Sequence, residues 1–275
     1  MNPFEKETAV ATALALEAGE NVLSWYGRAD SELKKGGEPV TAADREANEI
    51  IVSGLTGTFP NDGLLSEETG AETGWEDRKR RWCVDPLDGT KEFIAQNGEF
   101  SVMIGLAEDG VAVLGVLFMP AQSLIFWGGP RIGSYVRKAP DGPSRRLTVS
   151  DISDPRLMTL ALSRRHRPAS IETVARRLGV TREVRRGSVG IKLGMVASCE
   201  ADLYIHSASG TRLWDACAPD AVVRGAGGIL TDCRGRPIPY QSADVVNRSG
   251  LVASNGKCHE KIIRALEPTV IEEGL

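Results

Sequence analysis

The segment DPLDGT, residues 85–90, follows an apolar stretch and places two carboxylates three residues apart on a tight turn. Pro86 restricts the aspartate before it to an extended conformation, so the chain leaves the preceding strand in a defined direction. Carboxylate oxygens and a backbone carbonyl such as that of Leu87 are ligands that Mg²⁺ prefers. The amides of Gly89 and Thr90 open a predicted helix, where the dipole favours phosphate. The segment predicts a combined metal and phosphate site, with an ordinary acidic turn as the alternative.

Three further acidic positions have simpler explanations when each is taken alone. Glu67 begins an acidic pair that is typical of a solvated surface. Asp44 lies three residues after Thr41, which is the spacing of a helix capping box. Asp215 opens an otherwise small and apolar helix, where it would compensate the helix dipole. Together with residues 85–90 they supply the four or five carboxylates that a two-metal phosphoryl-transfer site requires.

Elements predicted from the hydrophobic pattern must bring these residues together. Helices are predicted at residues 5–26, 41–55, 91–96, 170–178, 191–199, 214–224 and 257–266. Strands are predicted at 81–84, 157–162, 201–206, 228–231 and 251–253, with an antiparallel meander at 101–107, 111–118, 123–127 and 134–136. This order indicates an α+β portion followed by an α/β portion in one catalytic unit.

The proline- and glycine-rich stretch at residues 139–143 predicts a boundary between two halves. Residues 1–143 would form an α+β half that carries most of the acidic candidates. Residues 144–267 would form an α/β half that contributes Asp215. Residues 268–275 are expected to form a flexible acidic tail.

Composition excludes several classes of protein. The chain has 275 residues, 41% of them hydrophobic and 25% charged, with a formal net charge of −4. An apolar fraction of this size disfavours disorder, and the acidic balance disfavours binding to a nucleic-acid polymer. No P-loop and no G-x-S-x-G elbow is present, which disfavours a P-loop NTPase and a serine hydrolase.

The expected location is the cytoplasm. The N-terminal residues lack the basic start and apolar core of a secretory signal, and no apolar run approaches the ~20 residues of a transmembrane helix. The five cysteines are odd in number and widely spaced, without a C-x-x-C pair. This pattern disfavours a disulfide framework and a zinc site and indicates a reducing compartment.

Four motifs in this order resemble the Mg²⁺-dependent phosphatases of the inositol monophosphatase and fructose bisphosphatase superfamily. They are Val40-Thr41-Ala42-Ala43-Asp44, Ser66-Glu67-Glu68, residues 85–90 and Trp214-Asp215-Ala216-Cys217-Ala218. The resemblance covers nearly the whole chain. It implies a layered sandwich of alternating helix and sheet layers.

Residues 85–94 are most similar to the 3'(2'),5'-bisphosphate nucleotidases of the bacterial CysQ type, which remove the 3'-phosphate of adenosine 3',5'-bisphosphate in sulfur metabolism. Residues 163–166 resemble that group's Ser-Arg-Ser-His segment, with Arg165 in place of the second serine. Residues 187–192 resemble its Gly-Ser-rich stretch, which is associated with the second phosphate of the nucleotide. Ala208 stands where inositol monophosphatases have an acidic residue that contacts inositol.

The resemblance implies roles for individual residues. Metal ligands for two or three Mg²⁺ ions would be Glu67, Asp85, the Leu87 carbonyl, Asp88 and Asp215. Asp44 and Thr90 would orient and deprotonate the attacking water, with Glu67 also counted as catalytic. Substrate contacts would come from Glu67, Leu87, Asp88, Gly89, Thr90, Ser188, Lys192 and Asp215. Lys192 is expected to contact a phosphate because glycines precede it, with a lysine that extends along its helix as the alternative. His166 is a weak candidate, and Arg212 has no assigned role beyond surface pairing.

The leading hypothesis is therefore a phosphatase that acts on a small phosphorylated nucleotide as a monomer or homodimer. An inositol or sugar phosphate phosphatase of the same superfamily is the first alternative, which Ala208 disfavours. A catalytically inactive nucleotide- or metal-binding module is the second. It is disfavoured because each acidic residue and the threonine that the chemistry requires are present.

Overall fold

The computed structural model describes residues 2–28, 31–33, 39–71, 75–165 and 169–274. The helices are α1 (Glu5–Trp25), α2 (Ala42–Thr58), α3 (Thr90–Ile94), α4 (Ala169–Leu178), α5 (Val189–Ala197), α6 (Leu213–Gly225) and α7 (His259–Glu273). The first ten strands are β1 (Ser31–Leu33), β2 (Pro39–Thr41), β3 (Gly63–Ser66), β4 (Gly70–Ala71), β5 (Arg80–Asp88), β6 (Ser101–Glu108), β7 (Val111–Met119), β8 (Leu124–Gly129), β9 (Gly133–Lys138) and β10 (Arg145–Arg146). The remaining five are β11 (Thr159–Ser163), β12 (Arg182–Arg186), β13 (Leu203–His206), β14 (Ile229–Thr231) and β15 (Leu251–Ser254).

The elements stack as alternating layers of helix and sheet. The larger sheet has eight strands in the order β10-β9-β8-β7-β6-β5-β3-β4, and the smaller has five in the order β12-β11-β13-β15-β14. α1 and α2 pack on one face of the larger sheet, while α6 packs on its other face and contacts α5. α5 also packs on the smaller sheet, and α4 packs against α7. The layered sandwich implied by the family resemblance is confirmed.

A bulge at the end of β5 presents the acidic turn. β5 runs antiparallel to β6, and the register shifts between Asp85, opposite Met103, and Asp88, opposite Ser101. Pro86 falls in the shifted stretch, where its lack of an N–H suits a position outside the regular ladder. Such a bulge bends the strand and redirects its side chains. The strand therefore continues through the turn, instead of ending at residue 84 as expected.

Close packing of α6 on the larger sheet brings its first turn near β5. A methyl group on Gly105 would lie 2.6 Å from the backbone nitrogen of Ala218, and a methyl group on Gly115 would lie 2.0 Å from the carbonyl oxygen of Ala218. Both glycines are required because the helix backbone lies directly on the strands. The small residues that follow Asp215 have the same cause, since larger side chains would push α6 away from the sheet.

The predicted flexible tail after residue 267 is wrong. α7 continues through Pro268 to Glu273, and Thr269 and Val270 are buried in the described structure. Val270 belongs to the hydrophobic cluster between α4, α7 and the smaller sheet. Burial of this face outweighs the loss of one helical hydrogen bond at the proline.

β1, β2 and β12 were not expected, and the predicted meander is confirmed as β6–β9.

Within the described part of the chain, no helix has both the length and the apolar character needed to cross a membrane.

Candidate active site

A polar cavity of about 220 Å³ lies at the carboxyl end of β5. Its lining residues come from both sheets and from α6. They are Glu67, Asp85, Leu87, Asp88, Gly89, Thr90, Lys91, Glu92, Ser163, Arg165, Gly187 and Asp215. Residues from the predicted motifs at 66–68, 85–90 and 214–218 therefore share one cavity.

Parallel pairing of β3 and β5 brings Glu67 next to Asp85. Ser66 lies opposite Val84 in the register, and the Glu67 amide donates a hydrogen bond to the Val84 carbonyl at 3.1 Å. The carboxyl ends of parallel strands meet at the same edge of a sheet. A solvated acidic pair is thus not the environment of Glu67, whose side chain faces the cavity.

Hydrogen bonds from the turn itself and from the start of α5 orient the acidic side chains of the turn. Oδ1 of Asp85 accepts the Leu87 amide at 3.0 Å. Oδ2 of Asp88 accepts the Gly190 amide at 2.8 Å and a short hydrogen bond from the Ser188 hydroxyl. These contacts occupy one oxygen of each carboxylate.

Gly89 allows the turn to close. Its φ of +100° is in the left-handed region, and a methyl group there would lie 2.9 Å from the Glu99 carbonyl oxygen. Both the conformation and the space therefore require glycine. Its predicted contact with phosphate stays a prediction.

Asp44 connects the start of α2 to the start of α3. Its Oδ2 accepts hydrogen bonds from the Thr41 amide at 2.8 Å and the Thr41 hydroxyl at 2.6 Å, which confirms the expected capping box. Its Oδ1 accepts the Thr90 hydroxyl at 2.9 Å. Asp44 is buried, while Thr90 lines the cavity. The capping box thus places Asp44 in contact with a residue that lines the cavity, and its role towards water stays a prediction.

Asp215 reaches the cavity from the first turn of α6. Its Oδ2 accepts the Arg212 amide at 2.5 Å, so the carboxylate also caps the helix. The Arg212 guanidinium donates to the Gly210 carbonyl at 3.0 Å and is not among the residues that line the cavity. Arg212 thus contributes its backbone to the position of Asp215.

The cavity concentrates negative charge. Burial, followed by the charges of Glu67, Asp88 and Asp215, raises the pKa of Asp85 well above its usual value. Burial, followed by the charges of Glu67 and Asp88, likewise raises the pKa of Asp215. Carboxylates that share a site disfavour each other's ionisation, and a bound cation relieves that repulsion.

The donor set fits Mg²⁺. Four carboxylates and the Leu87 carbonyl provide hard oxygen ligands around one cavity. Over the described ranges, no three His, Cys, Asp or Glu side chains are arranged to hold a metal ion as they stand. Mg²⁺ does not need such a cage, because it keeps several waters and uses one or two carboxylates together with substrate phosphates.

Ser188 and Lys192 lie outside the walls of this cavity. Ser188 is buried behind Asp88, and its hydroxyl also accepts the Ile191 amide at 3.1 Å. Lys192 donates a short hydrogen bond to the Gly187 carbonyl, with its Nζ 5.6 Å from the centre of the Tyr204 ring. Burial lowers the pKa of Lys192 to about 8. The substrate contacts expected of both residues stay predictions.

A second cavity of about 490 Å³ adjoins the first. It shares Ser163 and Gly187 with the first cavity, and its walls include Lys192, Tyr204 and Ala208. Lys192 therefore lines the second cavity and not the acidic one.

Two cationic residues on the wall of the acidic cavity were not predicted as site residues. Lys91 and Arg165 line it, and Arg165 Nε donates to Glu92 Oε1 at 2.7 Å. The only sequence signal for a cation on this wall was the arginine at position 165, where the resembled segment has a serine. His166 lies outside the described residues.

The fold and the cavity can now be compared with known proteins. The model of the inositol monophosphatase family matches residues 4–270. The chain therefore belongs to this family, and the activity that follows at this level is that of a phosphatase.

Similar proteins narrow the comparison. The 3'(2'),5'-bisphosphate nucleotidase CysQ of Escherichia coli O157:H7 is 36% identical over 233 residues, which cover 82% of this chain and 91% of the relative. A histidinol-phosphatase of Chlorobaculum parvum is 31% identical over 264 residues, which cover 94% of this chain and 95% of the relative.

Solved structures show the same fold. CysQ from Bacteroides thetaiotaomicron, described as a bacterial member of the inositol monophosphatase family, has a TM-score of 0.78 and 31% identity, covering 92% of this chain and 98% of its own. The extragenic suppressor protein suhB from Bartonella henselae has a TM-score of 0.82 and 28% identity, covering 96% of this chain and 99% of its own.

Proposed function

We propose that the chain is a Mg²⁺-dependent 3'(2'),5'-bisphosphate nucleotidase that removes the 3'-phosphate of adenosine 3',5'-bisphosphate. The observation that carries the proposal is the meeting of Glu67, Asp85, Asp88 and Asp215 in one cavity beside Thr90. The proposed metal ligands are these four carboxylates and the Leu87 carbonyl. Bound Mg²⁺ would neutralise phosphoryl oxygens and lower the pKa of water.

The chain's own residues would position the attacking water and accept its proton. Thr90 directs its hydroxyl hydrogen at Oδ1 of Asp44, which leaves its oxygen lone pairs to accept a hydrogen bond from water. Thr41 holds the other Asp44 oxygen at 2.6 Å and keeps the carboxylate aimed at Thr90. A proton passed from water to Thr90 would be matched by one passed from Thr90 to Asp44.

A substrate with two phosphates suits the charge distribution. The four proposed carboxylate ligands would hold one phosphate through bound Mg²⁺. Lys91 and Arg165 on the wall of the same cavity offer positive charge to a second anionic group. The adjoining cavity of about 490 Å³ gives room for the rest of the molecule. The similarity to CysQ proteins supports the same class of substrate.

Two other phosphate esters are the alternatives within this family. An inositol phosphate is disfavoured by Ala208, which offers only a methyl group where inositol monophosphatases are expected to have an acidic residue that contacts inositol. Ser207, Ser209 and Thr211 line the same cavity and offer hydroxyl groups. Histidinol phosphate is favoured by the relative that matches 94% of the chain.

The test is a panel of phosphate-release assays with and without a chelator of divalent cations. The substrates are adenosine 3',5'-bisphosphate, its sulfated analogue, inositol 1-phosphate, fructose 1,6-bisphosphate and histidinol phosphate. We expect the highest kcat/KM for adenosine 3',5'-bisphosphate and loss of activity with chelator. A preference for histidinol phosphate or inositol 1-phosphate would reject the substrate assignment, and activity in chelator would reject the role of Mg²⁺.

A further inference from the structure

A buried carboxylate outside the predicted metal ligands joins the two sides of the acidic cavity. Glu99 follows α3 on the larger-sheet side, and its side chain is 10% exposed. Its Oε2 accepts the Gly187 amide at 2.8 Å, and the Arg164 guanidinium binds it with two hydrogen bonds of 2.8 and 2.5 Å. Both donors belong to the smaller-sheet side, at the ends of β11 and β12.

The segment that Glu99 anchors is the one that orients Asp88. Ser188, which directly follows Gly187, donates to Oδ2 of Asp88, and the Gly190 amide donates to the same oxygen. A shift of Gly187 would therefore move two donors of Asp88 together.

Gly187 is packed so closely that its backbone has little room to move. A methyl group on Gly187 would lie 2.2 Å from Cγ of Glu92 and 3.1 Å from the Glu99 carbonyl oxygen. Ser101 adds a hydrogen bond of 2.8 Å to the Ser188 hydroxyl from β6. Glu99 thus contacts a tightly packed segment that lies directly beside the turn at residues 85–90.

We propose that Glu99 is a positioning residue that, held by Arg164, fixes the Gly187–Gly190 segment so that one oxygen of Asp88 is occupied and the other faces the cavity. The inference rests on the proposed role of Asp88 as a Mg²⁺ ligand. Carboxylate ligands are commonly oriented by hydrogen bonds to the oxygen that does not bind the metal, and loss of such partners typically weakens metal affinity about 10- to 100-fold.

The charge of Glu99 matters as well as its shape. Burial alone would raise its pKa, but the hydrogen bonds from Arg164 and the Gly187 amide outweigh that effect, and its pKa lies below its usual value. Glu99 is thus an ionised acceptor of three hydrogen bonds from two groups. A glutamine would keep the size but turn one acceptor oxygen into a donor that faces other donors.

The experiment measures Mg²⁺ binding by calorimetry without substrate, in the full chain and in Glu99→Gln. We expect the Kd for Mg²⁺ to rise about tenfold or more in the variant. Phosphate release at subsaturating Mg²⁺ should fall, with partial recovery at high Mg²⁺. Arg164→Gln removes the partner from a half-exposed position and should raise the Kd by a smaller factor.

Asp232→Asn is the matched control. Asp232 is 12% exposed, pairs with Arg236 at 2.7 Å and accepts backbone amides of Arg234 and Arg236. It resembles Glu99 in burial and partners but is not among the residues lining the acidic cavity, so its loss should lower Tm and leave the Kd for Mg²⁺ unchanged.

The outcomes separate the two proposals. If the unmodified chain binds no Mg²⁺ and keeps its activity in chelator, the proposed function fails and the role of Glu99 fails with it. If the unmodified chain binds Mg²⁺ and the folded Glu99→Gln chain binds it within twofold of the same Kd, only the role of Glu99 is overturned. Should Glu99→Gln not fold, an unchanged Kd in Arg164→Gln overturns it instead.

Discussion

The Thr90 hydroxyl donates a hydrogen bond to Oδ1 of Asp44, a residue 46 positions earlier in the chain. The same hydroxyl lies 3.2 Å from the Leu87 carbonyl, so its orientation is constrained from two sides. A side chain in the first turn of α3 is thereby bound to a side chain in the first turn of α2. Thr90 therefore links a buried acid to the cavity that it lines.

Replacing Thr90 with valine keeps the shape and removes this link. We expect kcat for phosphate release to fall about 10²- to 10⁴-fold, the range associated with loss of a general acid–base partner. The free energy of unfolding should change by only about 1 kcal/mol, the usual net contribution of one hydrogen bond. Thr56→Val in α2, which removes a hydroxyl bonded to the Val52 carbonyl at 2.8 Å, is the control and should retain full activity.

Asp85→Asn should separate activity from stability. The amide removes a negative charge from a crowded, buried group whose pKa is raised, so the metal-free chain should be as stable as before or more so. Activity should fall by more than about 100-fold, and Mg²⁺ should no longer raise Tm as we expect it to do for the unmodified chain. Asp220→Asn is the contrasting variant, because it breaks the 2.6 Å pair with Arg224 and should lower Tm while keeping the Mg²⁺ effect. A melted Asp85→Asn chain would mark Asp85 as structural.

Gly89→Ala tests the space behind the acidic turn. The substitution combines a positive φ with a contact of 2.9 Å to the Glu99 carbonyl oxygen. Gly70→Ala has a φ of +75° but open space, so it isolates the conformational cost of about 1–2 kcal/mol. We expect Gly89→Ala to lose more stability in urea denaturation than Gly70→Ala, and to lose activity as well. Equal losses would show that the close contact relaxes freely.

Val270→Ala tests the corrected end of α7. Val270 is 3% exposed and Ile271 is 72% exposed, so adjacent positions give opposite expectations. Truncation of the buried side chain should cost about 1–3 kcal/mol of unfolding free energy, and Ile271→Ala should stay within about 0.5 kcal/mol. The measurement is the free energy of unfolding of the two variants by equilibrium denaturation. Equally small losses in both would support a flexible tail instead of a packed helix end.

His259 predicts a loss of stability in acid. Burial and then Arg224 lower its pKa below the usual 6.5, and its ring nitrogens lie 2.9 Å from the Thr231 and Ser254 hydroxyls. Below pH 6.5 the unfolded chain binds a proton that the folded chain does not, so stability falls as pH falls, by at most about 1.4 kcal/mol per pH unit. Urea denaturation at pH 7.5, 6 and 5 should show a shallower dependence in His259→Gln. Parallel curves would contradict the prediction.

Much of the candidate site could be predicted from local sequence. Residues 85–90 show their geometry directly, because a proline and a glycine bracket the carboxylates and restrict the backbone. The capping box of Asp44 also depends on residues three apart. Asp85 and Asp88 were identified by this local signal, whereas Glu67 and Asp215 were identified by the order of the four motifs. The structure places all four along the walls of the cavity, together with Glu92, which was not predicted.

Other features had no local signal. The continuation of α7 beyond Pro268 depends on burial of Thr269 and Val270 against distant elements, which outweighs the proline. Lys192 was predicted to contact substrate from its glycine-rich surroundings, and that contact stays a prediction. Only the structure showed that Lys192 lies near Tyr204 on the wall of the neighbouring cavity.

The sequence by itself determined the fold class, the acidic residues and the family, because periodicity, turns and motif spacing are properties of neighbouring residues. Only the tertiary structure decided that Glu99 joins Arg164 to Gly187, since these contacts span 65 and 88 positions and exist only when the two sheets pack together. Side-chain partners across such distances are selected by packing and charge in three dimensions, and no pattern of adjacent residues encodes them.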